Sequence, residues 1–186
     1  MGNSFERNIL FMGLANAGST QLLYSLKLLR SPDMSFKPSN GFNYEAIDCI
    51  NNESTTQRYK LHIFDLPGNE NLRCVWEHFY RNMNVDVMCF IVDASDRSAA
   101  KLEEVKRTFS MLCNEETLKP AAKLIVLNQK KNSTKGKFIS KAEILRLLGP
   151  EYGKATTIVT VDAKSGKNLQ ALKKLLCTGK GTKGGE

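Results

Sequence analysis

The stretch FMGLANAGSTQLLYSLKL, residues 11–28, decides how the rest of the chain is read. An apolar run ends at Gly13, Gly18 follows, and Thr20 stands just beyond it. Leu22, Leu23, Leu26 and Leu29 then recur at helical spacing. This is the layout of a buried strand, a glycine turn and a helix, in which backbone N–H groups and the helix dipole converge on a phosphate. One part differs. The phosphate-loop pattern of Gly, any four residues, Gly, Lys and then Ser or Thr has Ser19 in its lysine slot.

Outward from this stretch, apolar runs alternate with helical patterns. NILFMG is a strand beginning near Arg7, and FNYEAIDCI and TQRYKLHIFD flank the polar turn NNEST as an antiparallel hairpin. VDVMCFIVD, AKLIVLN and TTIVTV follow as strands. Leu102, Val105, Phe109 and Leu112 mark a helix with Ser95 or Asp96 as its expected N-cap. SKAEILRLLG opens with a Ser140–Glu143 capping box and closes on Gly149, and Leu169, Leu172, Leu175 and Leu176 mark a last helix. Alternation of this kind predicts an α/β fold in three layers, a mostly parallel six-stranded sheet with one antiparallel hairpin strand and helices on both faces. In such sheets ligands bind beyond the carboxyl ends of the strands. The unusual residues do follow the strands: GLANAGST, DLPGNE, NQKK and DAKSG.

The 186 residues suit one domain, and no apolar run approaches the roughly 18–20 residues that cross a membrane. No signal peptide is read, and the five scattered cysteines lack a CxxC pair, so reduced thiols in a cytoplasmic protein are expected. The net charge of +8 favours phosphates or an anionic membrane surface as partners. The basic runs carry no interleaved aromatics, so no DNA or RNA is expected; a basic nucleic-acid-binding domain is the remotest alternative. The expected organisation is a short segment 1–6, a domain over 7–177, and a disordered, basic, glycine-rich tail over 178–186.

The four loops, in order, resemble those of a Ras-like small GTPase of the P-loop NTPase class. GLANAGST…LLYSLKL, GFNYE, FDLPGNE and WEHFYRN are similar to the Arf (ADP-ribosylation factor) and Arf-like family over about residues 7–177. The resemblance implies GTP or GDP with Mg2+, held by Gly13, Asn16, Ala17, Gly18, Ser19, Thr20 and Gln21 of the phosphate loop. Thr20 and Ser39 would reach the magnesium, Asp65 would hold it through a water, and Gly68 would offer an N–H to the terminal phosphate. Asn128, Gln129 and Lys131 fall in the base loop, and Asp162, Ala163 and Lys164 in the last loop. Phe42, Phe64 and Phe79 fall where the family meets effector proteins, with core packing as the competing reading. The resemblance further implies vesicle-mediated and intracellular protein transport by a monomer, peripheral on Golgi or other endomembranes, with Gly2 a myristoylation candidate. Glu6 departs from the acylation pattern, which has Ser or Thr there.

The departures cluster at the chemistry. Ser19 removes a cation whose charge-assisted contact is worth on the order of 1.5–3 kcal/mol. Asn69 stands for the glutamine that orients the attacking water and is one methylene short, where an error near 1 Å costs about a hundredfold in rate. In NQKK, Lys131 replaces the aspartate that accepts two hydrogen bonds from guanine. A Lys131–Asp162 exchange, with Asp162 bridging to the lysine or reaching the base, is the one compensation in view. Impaired GTP binding and hydrolysis are therefore expected, with a nucleotide-independent pseudo-GTPase module as the alternative.

Overall fold

The computed structural model describes residues 4–29, 41–51, 57–130, 137–153 and 155–179. Gly2, Ser39, Lys131 and the tail from residue 180 lie outside them. Among the described residues, the strands are β1 (Ser4–Gly13), β2 (Asn43–Asn51), β3 (Gln57–Asp65), β4 (Val87–Asp93), β5 (Ala122–Asn128) and β6 (Thr156–Val161). They form one sheet in the order β2-β3-β1-β4-β5-β6. The β2–β3 pair is antiparallel and every other pair is parallel. The helices are α1 (Ser19–Leu28), α2 (Cys74–Asn82), α3 (Ala99–Asn114), α4 (Lys141–Leu148), the single turn α5 (Pro150–Gly153) and α6 (Leu169–Thr178).

The central strands are apolar on both faces because both faces are covered. In β1, Ile9 and Phe11 pack with Leu22, Leu23 and Leu26 of α1 and with Leu172 and Leu176 of α6. Leu10 and Met12 point the other way, toward Trp76 of α2, Phe109 of α3 and Ile144 of α4. The same alternation runs through β4, with Cys89 and Ile91 on one side and Met88 and Phe90 on the other. A three-layer sandwich results, with α1 and α6 on one face and the remaining helices opposite.

Two boundaries differ from the sequence expectation. β1 starts at Ser4 rather than near Arg7, because β3 is long enough to pair Ser4 with Arg58 and Phe5 with Tyr59. The Phe5 and Tyr59 rings lie 5.6 Å apart and cover this extension. Neither Ser95 nor Asp96 caps α3, whose N-cap position is Ser98. The Asp93 carboxylate accepts from the Ser95 N–H and the Asp96 carboxylate from the Ser98 N–H at 3.0 Å, and these side-chain turns delay the helix. Helix α4 starts where expected: the Ser140 hydroxyl accepts from the Glu143 N–H, and the Glu143 carboxylate accepts from the Ser140 N–H at 2.8 Å.

The Ser140→Ala variant removes half of this reciprocal cap. It should lower stability by about 1 kcal/mol, read as a lower urea midpoint at an unchanged slope.

Candidate functional site: a phosphate loop at the strand ends

The carboxyl ends of the parallel strands converge on one edge of the sheet. Gly13 ends β1, Asp65 ends β3, Asp93 ends β4, Asn128 ends β5 and Val161 ends β6. Register keeps them level: Phe11 stands opposite Asp65, Asp93 opposite Asn128, and Asn128 opposite Val161. This edge carries the described residues of the sequence-predicted phosphate, base and last loops.

The phosphate loop turns through Asn16 at φ 66° and Gly18 at φ 86°, both left-handed. Gly18 is the N-cap of α1, and no side chain caps it, so the first-turn N–H groups remain available to an anion. A Cβ at Gly18 would stand 2.6 Å from the Asn128 amide nitrogen. That approach serves the lock of the site. Asn128, buried, donates from its side chain to the Ala17 carbonyl at 3.0 Å and accepts from the Ala163 N–H at 3.2 Å. Three loops are thus fixed by one side chain. Gln21 occupies the next turn of α1, where its carbonyl accepts from the buried Ser25 hydroxyl.

Thr20 and Asp65 lie in direct contact. The Thr20 hydroxyl donates to Asp65 Oδ2 at 2.5 Å, and Asn43 donates to the same oxygen at 3.0 Å. Asp65 is 1% exposed, and its Oδ1 has no hydrogen-bond partner. Burial raises the Asp65 carboxyl above its ordinary range, opposed by the polar side chains of Ser19, Thr20 and Asn43. A buried carboxylate oxygen left unspent beside a threonine hydroxyl fits the outer shell of a magnesium ion.

Gly68 presses its backbone onto the phosphate loop, where a Cβ would lie 2.6 Å from the Gly13 carbonyl oxygen. The segment leading to it is held from outside. Trp76 Nε1 donates to the Pro67 carbonyl at 2.9 Å and Arg73 Nε to the Gly68 carbonyl at 3.1 Å. Arg73 also pairs with Glu104 of α3 at 2.6 Å. Asn69 is exposed and caps the 3-10 turn Glu70–Leu72, its Oδ1 accepting from the Asn71 N–H.

Phe42, Phe64 and Phe79 do come together, with Phe79 4.9 Å from Phe42 and 5.7 Å from Phe64 between ring centroids. Phe42 is 52% exposed, so the cluster is a surface feature continued by Tyr44. Asp162 is buried and spent within its own loop. Lys164 is exposed, and Gln129 donates its N–H to the Val161 carbonyl at 2.7 Å.

Sequence reasoning missed Lys130 and Asp93. Lys130 Nζ donates to the Asn16 carbonyl of the phosphate loop and pairs with Asp93 Oδ2 at 2.8 Å. The signal was there, since Asp93 follows a strand as Asp65 and Asn128 do, but the basic run gave no ground for choosing among its lysines.

A model of the ADP-ribosylation factor family matches residues 1–178. Among solved structures, the chain is similar to the Arl6 BBS3 small GTPase from Trypanosoma brucei with bound nucleotide analogue GppNp. The two are 22% identical at a TM-score of 0.70, over 92% of this chain and 95% of that one. This likeness is one of fold.

Two outcomes follow from the geometry. Asn128→Ala strips partners from two buried backbone groups and should cost roughly 2–5 kcal/mol in denaturant unfolding. Asp65→Asn should raise the melting temperature of the ligand-free protein at pH 7. With the folded-state value above the ordinary 3.8, the native state holds the proton more tightly, so Asp65 costs stability as pH rises through that window. The variant should flatten that slope in an unfolding series from pH 3 upward.

Proposed function

The chain belongs to the ADP-ribosylation factor family, and on that premise we propose a small GTP-binding protein in which phosphate and magnesium binding outlasts catalysis. The observation that carries the reading is Asn69. Its Oδ1 accepts from the Asn71 N–H of its own turn and the side chain is exposed, while Thr20 and Asp65 keep their pairing across the site. A residue in that state does not position a water. Bound magnesium would neutralise phosphate charge, and Thr20 and Asp65 are the described residues that would hold it. Gly13–Gly18 would receive the phosphates, with Ser19 contributing a hydroxyl where a cation is missing.

The protein's output is then binding rather than turnover. Phe42, Phe64 and Phe79, with Tyr44 beside them, form the surface an effector protein would cover, and intracellular, vesicle-mediated transport is the setting proposed. The basic balance suits a peripheral position on an anionic cytoplasmic face, including Golgi or other endomembranes. A second reading, a pseudo-GTPase that never cycles, is favoured by the bracing of Pro67 and Gly68 by Trp76, Arg73 and Glu104.

The test is to denature purified protein and chromatograph what it releases. Stoichiometric GDP or GTP supports the proposal. An empty protein whose melting temperature ignores excess nucleotide and magnesium overturns it in favour of the second reading. Ser19→Lys should raise GTP affinity by at least about tenfold, as expected for a restored charge-assisted contact of roughly 1.5–3 kcal/mol, without restoring hydrolysis unless Asn69→Gln is added.

A further inference from the structure

We infer that this site recognises the phosphates of a nucleotide and is indifferent to its base, so that guanine and adenine diphosphates are bound alike. The inference rests on the phosphate binding proposed above and concerns the opposite end of the same site.

Guanine is told from adenine by an acceptor that takes its N1–H and amino hydrogens together, and a carboxylate does this best. A site built around such a pair can reject the analogue lacking it by about 10⁴–10⁵. The loop after β5, residues 129–140, contains no Asp or Glu. The loop after β6 contains one, Asp162, and it is 2% exposed. Its Oδ1 accepts the N–H groups of Lys164 at 2.9 Å and Ser165 at 3.0 Å, and its Oδ2 accepts the Ser165 hydroxyl at 2.6 Å. Three short bonds to its own loop make this carboxylate a turn-former. Swinging it outward would break all three.

Asp93, at the neighbouring strand end, is equally committed. One oxygen takes the Ser95 N–H and hydroxyl, and the other pairs with Lys130. Lys130 is in turn drawn toward the phosphate loop through the Asn16 carbonyl. Both of these carboxylates are thus committed to bracing the loops. On the phosphate side the reverse holds: Gly18 leaves the start of α1 uncapped, and Asp65 Oδ1 is buried without a partner. Of the three described carboxylates Asp65, Asp93 and Asp162, only Asp65 keeps a buried oxygen without a partner.

The experiment is calorimetric titration of the full chain, with magnesium present, by GDP, ADP and inorganic pyrophosphate separately. The expected result is binding of all three, with GDP and ADP affinities within about tenfold of each other. A larger preference for GDP overturns the inference while leaving the proposed phosphate binding intact. Failure of all three to bind at millimolar concentration overturns both. Asp162→Asn supplies an independent arm: it should lower the melting temperature and leave the GDP-to-ADP ratio unchanged, and a changed ratio would show that Asp162 reads the base.

Discussion

The site depends on the amide of Asn128, which satisfies two backbone groups that no regular ladder could reach. The Ala17 carbonyl and the Ala163 N–H belong to loops far apart in sequence, both buried where water cannot serve them. A single planar side chain with a donor at one corner and an acceptor at the other answers both. The tie closes into a ring, because the buried Ser25 hydroxyl on α1 lies 2.7 Å from the Ala163 carbonyl. Phosphate loop, helix, last loop and β5 are thus joined in one circuit. Gly18 is required at the point where the amide passes, since any side chain there would occupy its path.

Within that circuit two buried aspartates have opposite fates. Asp162 has donors for both oxygens and stabilises the loop that surrounds it. Asp65 has donors on one oxygen only, and the polar side chains around it oppose its desolvation cost without cancelling it. Uncompensated burial of charge destabilises a fold unless a ligand redeems it. The contrast separates groups that hold the protein together from groups held in readiness.

Much of the architecture was legible in sequence because hydrophobic periodicity reports directly on burial. The runs ending at Gly13, Asp65, Asp93, Asn128 and Val161 all became strands, and the hairpin around NNEST was identified from its flanking apolar runs. The start of α3 was misjudged because Ser95, Asp96 and Ser98 all have N-cap chemistry, and only the side-chain turns of Asp93 and Asp96 choose among them. Thr20, Asp65 and Asn128 followed from motif order. Asn69 as a cap, Lys130 as a brace and Arg73 as a link to Glu104 did not, because each contact depends on where a flexible side chain lands after folding. Periodicity carries no record of that.

Strand β2 lies at one margin of the sheet, and among the described residues it pairs only with β3. Along it and just before it stand Phe42, Tyr44 and Ile50, each about half exposed. A strand margin that the described residues leave unpaired, with apolar side chains along it, is a template for further strand addition. The consequence is colloidal: the same row that suits a binding partner makes the isolated protein prone to edge-to-edge association. Its net positive charge of +8 is the force that keeps copies apart, and raising ionic strength weakens that protection just where concentrated samples need it.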